Sequence, residues 1–174
     1  MAVVSGGDRL EKYLEGLSKR VKSAAKLKVG FLAGGAYPDG TSVAMVAALQ
    51  NFGTGSIPPR PFFSNMVREK SPNWGVQLAD LLKRNDYDAA KALALMGEGV
   101  KAQLRQSIVD TFDPPLSEIT LMLRKMKAEG EIITGASLGE AARRLAAGES
   151  PSGVSTKPLV DTGNLLASVD SEVT

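Results

Sequence analysis

The feature that most limits how this chain can fold is the proline-rich segment Ile57-Pro58-Pro59-Arg60-Pro61-Phe62-Phe63. Three prolines in four positions hold the backbone extended and remove three amide donors. A helix or a central strand needs those donors. The segment is therefore predicted to be a rigid connector between the elements on either side of it.

Apolar residues at helical spacing predict several helices around this connector. The longest stripe is Leu93, Met96, Val100, Leu104 and Ile108, within residues 87–112. Gly97 and Gly99 interrupt that helix and indicate either close approach of another backbone or a local kink. Further helices are predicted at 8–21, from a cap at Thr41 or Ser42 to the stop at Gly53, from the connector to Pro72, around 76–84, 116–127 and 138–145, and from Thr162.

Strand patterns are few. Leu27, Val29 and Phe31 alternate with polar or small residues, and Val169, Ser171 and Val173 do the same near the C-terminus. The prediction is a single α+β domain over residues 1–174, in which a small antiparallel sheet packs with several helices. A sheet of so few strands is marginal alone in water, so it needs helix cover or extension by strands from neighbouring subunits.

The composition removes most common enzyme mechanisms. Among 174 residues there is no cysteine and no histidine, which excludes disulfides, Cys/His zinc sites, thiol nucleophiles and any histidine base. The net charge is only +2, but residues 1–70 carry 10 basic and 5 acidic side chains, residues 71–130 carry 8 and 8, and residues 131–174 carry 3 and 6. This gradient suits subunits that meet head to tail.

The tripeptide Asp161-Thr162-Gly163 is also found in aspartic proteases, where two carboxylates share a proton to activate water. Such a protease needs a long β-rich stretch after the aspartate, and only 13 residues follow Asp161. The alternative is that Asp161 and Thr162 cap a helix. A Gly-x-Gly pattern at 97–99 formally fits a dinucleotide fingerprint, but the preceding residues favour a helix where that fingerprint requires a strand.

A basic run near the N-terminus allows three interpretations. It comprises Lys19, Arg20, Lys22, Lys26 and Lys28, and no acidic residue interrupts it. Such runs form a solvated helix face, a subunit interface, or a surface that contacts phosphates without base specificity.

Several segments, taken in order, resemble the virion-morphogenesis proteins of tailed bacteriophages, the tail-completion or head-tail joining family. They are Val29-Gly30-Phe31-Leu32, Tyr37-Pro38-Asp39-Gly40-Thr41, Asn51-Phe52-Gly53-Thr54, the proline-rich segment, Pro115-Leu116-Ser117 with Thr120 and Arg124-Lys125, and Lys157-Pro158-Leu159-Val160-Asp161-Thr162-Gly163-Asn164-Leu165 with Ser168. The chain departs from the family at Asn51, where an acid is common, and in a long segment at 128–156, predicted to be an insertion or extended arm that contacts other subunits.

The resemblance implies a structural α+β subunit of a virion ring at the phage neck or the top of the tail, with no catalytic residue, cofactor or metal. It implies a homo-oligomer, a hexamer by family resemblance, flanked by neck, tail-tube or tail-terminator proteins. Pro59, Arg60, Pro61, Phe62 and Phe63, with Asp161, Thr162 and Gly163, are then expected at structural or interface positions. The prolines would stiffen the connector so that Phe62 and Phe63 enter a core or groove with little loss of entropy on assembly, and Arg60 would bond a carbonyl or carboxylate.

Two other functions remain open at this stage. The basic run could line a channel through which DNA passes, in a DNA-contacting or packaging accessory module, or Asp161 could serve an aspartic-type hydrolase. No apolar run reaches the roughly 18 residues of a membrane span, and no secretion signal is evident. We therefore expect no membrane partner, assembly in the host cytoplasm, and a final location in the virion.

Overall fold

The structure is a computed structural model that describes residues 7–22 and 26–174, with the side chains of residues 7, 8 and 20–22 outside the description. Seven helices and two strands lie within those ranges. The helices are α1 (Gly7–Lys22), α2 (Val43–Phe52), α3 (Phe62–Arg84), α4 (Ala89–Asp110), α5 (Glu118–Ala128), α6 (Ser137–Ala146) and α7 (Asn164–Ala167). The strands are β1 (Leu27–Phe31) and β2 (Val169–Val173).

The two strands pair with each other, although they lie at opposite ends of the chain. They run antiparallel, with Leu27 opposite Val173 and Phe31 opposite Val169. Both predicted strands are therefore confirmed, and so is the α+β class with a small antiparallel sheet packed against helices. Because the second strand is the last element, the sheet closes a loop of the chain that contains every helix from α2 to α7.

Helix α4 is the centre of the fold. Met96, Val100, Leu104 and Ile108 of the predicted stripe are buried, and this face packs against α3 and against both strands. Burial of each such side chain contributes roughly 1.5–3 kcal/mol. The main core is thus a helix pair on one side of a two-stranded sheet, which gives the sheet the helix cover that it needs.

Of the two glycines inside α4, only Gly97 lies at a close approach. A Cβ at Gly97 would lie 3.0 Å from Leu27 Cδ1 and 3.0 Å from Ser171 Oγ. Because glycine has no side chain, α4 can pack closely against both strands at this position. Gly99 has open space around its missing Cβ. The close approach at Gly97 is thus to side chains of the two strands rather than to another backbone, and there is no close approach at Gly99.

The sequence predicted two helices separated by Pro72, and this prediction is wrong. Helix α3 runs without a break from Phe62 to Arg84, with Pro72 in its interior. A proline there costs about 3 kcal/mol through the lost hydrogen bond and its ring. Both halves of α3 nevertheless pack on the same core, Met66 before the proline and Trp74 after it, and the Trp74 indole donates to Gln103 of α4 at 2.9 Å.

The segment 128–156 folds back on the helix that precedes it. Helix α6 packs against α5, and Met122, Met126 and Ala141 form a second small core between them. Arg144 of α6 reaches Glu129 at 3.2 Å and also pairs with Glu131 and Glu140. The hydrogen bonds that Arg144 donates to Glu140 and Glu131 raise the pKa of its guanidinium. The segment is therefore a helical hairpin with α5, tied together by a charged cluster.

The long helices are amphipathic rather than apolar. Helices α3 and α4, with 23 and 22 residues, carry exposed charged side chains such as Arg68, Glu69 and Lys91. Across residues 7–22 and 26–174, no helix combines the length and the apolar character that crossing a membrane requires.

Candidate functional site

The proline-rich connector carries Arg60 into the interior. The Arg60 side chain is only 5% exposed. Its Nε donates to the Pro114 carbonyl at 2.9 Å, one terminal nitrogen to the Pro115 carbonyl at 3.4 Å, and the other to Gln50 Oε1 at 3.2 Å. The expected bond to a carbonyl is confirmed, and Arg60 joins the connector to the loop between α4 and α5.

The two phenylalanines after the connector have different environments. Phe62 is fully buried and meets Phe31 edge to face, with 6.2 Å between ring centroids. Phe63 is half-buried and lies on the wall of two surface grooves. The interpretation as internal core therefore holds for Phe62, whereas Phe63 stands where a groove opens to the surface.

Gly53 makes the sharp entry into the connector possible. Its φ is +74°, and a Cβ there would lie 2.8 Å from both the Ile57 carbonyl oxygen and the Pro59 nitrogen. No other residue fits this close approach without a shift of the backbone. Gly53 thus ends α2 and turns the chain so that the prolines pack back over it.

Asn51 caps the helix that follows the connector. Helix α3 begins after Pro61, which offers no side-chain acceptor to the first amides of the helix. Asn51 is buried, and its Oδ1 accepts the N–H groups of Phe63 at 3.0 Å and Ser64 at 3.1 Å, while its Nδ2 donates to Ser64 Oγ at 2.8 Å. Sequence reasoning missed this role, although a proline at the cap position signals that an acceptor must come from elsewhere.

Replacing Asn51 with alanine is expected to lower the free energy of unfolding by about 1–3 kcal/mol, because two buried amides lose their acceptor. Asn51→Asp should keep most of the stability at pH 7, since a carboxylate accepts both amides and favours a helix N-terminus. That variant should then lose stability as the pH falls through the lowered pKa of its carboxyl. Urea unfolding at pH 7 and pH 4 checks both, and equal losses in the two variants at pH 7 would contradict the capping role.

A second arginine holds the C-terminal loop. Arg124 of α5 donates through one terminal nitrogen to the carbonyls of Ser155 at 2.7 Å and Lys157 at 2.9 Å, and through the other to Pro158 at 3.0 Å. Burial lowers the pKa of Arg124, with the nearby Asp161 opposing that change. A planar guanidinium with five fixed donors is suited to gather several carbonyls at once.

The two arginines lie close enough to influence each other. Burial lowers the pKa of Arg60, and the charge of Arg124 lowers it further. Arg60 draws the connector to the loop before α5, and Arg124 draws α5 to the loop before α7. The connector, the loop before α5, α5 itself and the loop before α7, which all carry parts of the phage-protein resemblance, therefore meet around Arg60 and Arg124.

Asp161 pairs with cations and does not cap a helix. Its carboxylate lies 3.5 Å from Arg124 Nε and 3.1 Å from Lys127 Nζ. The residue at the cap position of α7 is Gly163, with φ +80° and no side-chain hydrogen bond. The predicted capping by Asp161 and Thr162 is therefore wrong, because the carboxylate turns away from the short helix and toward α5.

A pocket of about 540 Å³, lined by both polar and apolar residues, opens beside Asp161. Its lining includes Tyr37, Asp39, Gln50, Lys127, Thr162 and Asn164. Burial, then the charges of Asp161 and Asp39, raise the pKa of the Tyr37 hydroxyl. The Thr41 N–H, 2.9 Å from Asp39 Oδ1, lowers the pKa of that carboxyl. This hydrogen bond therefore favours the charged form of Asp39.

The structure describes the side chains of three of the five residues in the basic run. Its members are Lys19, Arg20, Lys22, Lys26 and Lys28. Lys19, Lys26 and Lys28 are exposed, and Lys28 Nζ lies 3.5 Å from Glu172 of the paired strand. Arg20 and Lys22 belong to α1, but their side chains lie outside the described residues.

Helix α1 presents an apolar face to solvent. The α1 apolar face consists of Leu10, Tyr13, Leu14 and Leu17, at spacings of three, one and three residues. Leu10, Tyr13 and Leu14 are 60%, 55% and 51% exposed, and Leu17 is partly buried. The sequence predicted this amphipathic helix correctly but could not show that its apolar side remains largely uncovered.

An apolar groove lies along the inner side of β1. The β1 groove, of about 420 Å³, runs between β1, α3 and α4 and is lined by residues that include Leu27, Val29, Phe63, Trp74, Leu78 and Met96. A smaller groove of about 300 Å³ continues past Phe63 toward α2. Sequence reasoning missed both grooves, because they arise where non-adjacent elements leave a gap.

The two edges of the sheet differ. Lys26 and Thr174 exchange both backbone hydrogen bonds, so the alternation of an antiparallel pair turns the amides of Leu27, Val29 and Phe31 away from β2. Those groups have no hydrogen-bond partner within the described part of the chain. On β2, the carbonyl of Val169 accepts from Arg105 at 3.0 Å and the amide of Ser171 donates to Asp170 at 2.8 Å. The β1 edge is open, whereas the β2 edge is partly occupied.

No group of three or more acidic side chains within residues 7–22 and 26–174 is placed to hold a metal ion. Comparison of the chain with family models, with curated proteins and with solved structures finds no match.

Proposed function

We propose that this chain is a structural protein of a tailed-phage virion, and that it forms a homo-oligomeric ring at the neck or the top of the tail. In this role it joins or completes head and tail without catalysis. The ring would contact neck, tail-tube or tail-terminator proteins, and it would have six subunits if it follows the family that the sequence resembles. Its assembled location would be the virion.

One observation carries the proposal. The α1 apolar face and the β1 groove are two separate apolar surfaces, and both are open to solvent in the single chain. Contiguous exposed apolar surface in a protein of this size marks sites of association. Two different exposed apolar surfaces on one chain favour a repeated contact between copies.

The roles of the shared segments also support a structural protein. Arg60, Asn51 and Arg124 direct their side chains at backbone groups, and Asp161 lies between two cationic side chains. Each of these contacts fixes the relative position of elements, and none presents an activated nucleophile or a paired acid and base. The residues behind the resemblance thus fit architecture better than chemistry.

The asymmetry of the surfaces favours a closed ring over a two-fold dimer. The open β1 edge and the partly occupied β2 edge are different, and the charge gradient runs from a basic N-terminal part to an acidic C-terminal part. A contact between two different patches is heterologous, and such a contact closes into a ring when its rotation allows. The open β1 edge leaves the sheet available for extension by a neighbour.

Size-exclusion chromatography with light scattering tests the proposal directly. We expect the purified chain to form a discrete homo-oligomer, alone or on addition of a neighbouring neck or tail protein, and to complete heads or tails in a reconstitution. A chain that stays monomeric and fails to join heads and tails would overturn it. Binding to DNA that falls steeply with salt, with a monomeric chain, would favour the DNA-contacting alternative instead.

A further inference from the structure

We propose that the open edge of β1 in one copy pairs with the edge of β2 in the next copy, so that one sheet continues from copy to copy. This inference rests on the proposed function, because it names the contact by which the ring is built. The occupant of the β1 edge is a second copy of this chain, and strand β2 is the element that binds. We call the line where the two strands meet the seam.

The backbone groups at the β1 edge determine what can bind there. The amides and carbonyls of Leu27, Val29 and Phe31 point away from β2 and have no hydrogen-bond partner in the part of the chain that the structure describes. A row of donors and acceptors at two-residue spacing is satisfied by another extended strand, whereas a helix has already used its own backbone groups. A two-stranded sheet is also marginal in water, so an added strand stabilises the sheet that it joins.

Strand β2 can supply that added strand. The backbone groups of Val173 and the carbonyl of Ser171 point away from β1, and they have no partner within the described residues. The Ser171 amide donates to the exposed carboxylate of the preceding residue, Asp170, and it can exchange that acceptor for a carbonyl of β1. In antiparallel pairing, Leu27 then lies opposite Val173 of the next copy, and Val29 lies opposite its Ser171.

The charges on the polar face of the sheet are complementary across the seam. Because side chains alternate along a strand, Lys28 on β1 and both Asp170 and Glu172 on β2 lie on the face opposite the core. Lys28 Nζ is 3.5 Å from Glu172 of its own chain, and the two side chains are 55% and 52% exposed, so each has room for a second partner. In the proposed register Lys28 also faces Glu172 of the next copy, and the seam becomes a ladder of alternating charge.

The same charges disfavour a two-fold contact. Pairing of β1 with β1 would place only basic side chains along the seam, and pairing of β2 with β2 would place only carboxylates there. A β1 edge that meets a β2 edge is heterologous, and its repetition closes into a ring when the rotation allows. Closure then covers both edges of every copy, which protects them from pairing with other chains.

Site-specific cross-linking tests this contact, because the chain has no cysteine and any introduced thiol is unique. Copies carrying Lys26→Cys are mixed with copies carrying Thr174→Cys, one of them with a mass tag, and treated with a short bismaleimide. Both side chains are exposed, and they face each other in the proposed register. We expect cross-linked dimers of mixed composition. The matched control, Arg143→Cys mixed with Thr174→Cys, should give about tenfold less product, since Arg143 lies on α6, which packs on α5.

A proline in β2 tests the backbone pairing itself. Val173→Pro removes an amide that faces away from β1, which an edge strand tolerates, so its circular dichroism and urea midpoint should match those of Val173→Ala. The proline nevertheless deletes a donor at the seam, and assembly should weaken at least about tenfold relative to Val173→Ala. Equal assembly of two folded variants would overturn the inference.

A charge exchange provides a test that does not depend on proline. Glu172→Lys places basic side chains on both strands and should weaken assembly about fivefold, whereas the loss of an exposed ion pair changes folding little. The double variant Lys28→Glu with Glu172→Lys restores the alternating ladder and should recover assembly. Unchanged assembly of Glu172→Lys would contradict the proposed register.

The outcomes separate this inference from the proposed function. If the unmodified chain assembles but mixed dimers do not form, or form equally with the Arg143→Cys control, the edge contact is wrong and the ring proposal stands. Cross-links that form within Lys26→Cys copies alone as readily as in the mixture would show β1 paired with β1 and overturn the edge contact. A chain that light scattering finds monomeric, alone and with neck or tail proteins, overturns the ring itself.

Discussion

Replacing Arg124 with alanine is expected to lower the free energy of unfolding by about 3–5 kcal/mol, because several backbone carbonyls lose a charged donor and each such hydrogen bond contributes about 1.5–3 kcal/mol. The side chain is 11% exposed, and its loss leaves the carbonyls of Ser155, Lys157 and Pro158 without their donors. The loop before α7 would then lose its attachment to α5. Urea unfolding followed by the fluorescence of the single tryptophan, Trp74, measures the effect.

Two comparisons make this prediction specific. Arg124→Lys keeps the charge but lacks the planar fork, so it should lose much of the same stability. Arg143→Ala removes an arginine whose side chain is 79% exposed and which pairs only locally with Glu140, so it should stay within about 0.5 kcal/mol of the unmodified chain. Hydrogen exchange should also accelerate at 155–160 in Arg124→Ala alone. Equal stabilities of Arg124→Ala and Arg143→Ala would contradict the role of Arg124 as the clamp of this loop.

The elements that the sequence predicted well are those set by local patterns. The stripe from Met96 to Ile108, the cap at Ser42 and the alternation at Val169–Val173 each depend on neighbours within a few residues. Pro72 was misjudged because the cost of a proline is local, whereas the compensating contacts of α3 with α4 and the sheet come from distant parts of the chain. Tertiary packing of this kind overrides propensity.

The site was less predictable for a related reason. Sequence reasoning predicted that Arg60 would bond a carbonyl or a carboxylate, but nothing local identified Pro114 and Pro115 as its partners. Asn51 looked like a departure from an acidic position, whereas its amide oxygen performs the capping that a carboxylate also could. The β1 groove has no sequence signature, because a groove is a property of the gap between elements.

The final prediction concerns the residue to which the proline-rich connector leads. Phe62→Ala is expected to cost about 3–5 kcal/mol of unfolding free energy, through lost burial and the cavity that remains. Phe62 is fully buried against Phe31 at the point where β1 and α3 meet, and its carbonyl accepts a hydrogen bond from Ser107 of α4 at 2.7 Å. A loss here should therefore weaken the joint between sheet and helices, and lower the urea midpoint at fixed protein concentration.

Phe52→Ala is the matched control, since it removes the same side chain from a position that is 75% exposed. Its free energy of unfolding should change by less than about 0.5 kcal/mol. Phe52 also lies on the wall of the smaller groove next to β1, so a loss of assembly in Phe52→Ala without a loss of stability would mark that wall as part of the contact between copies. In Phe62→Ala the free energy of unfolding should fall, and assembly should fall only because less of the chain is folded. If both variants unfolded at the same urea concentration as the unmodified chain, Phe62 would not be the anchor that the connector positions.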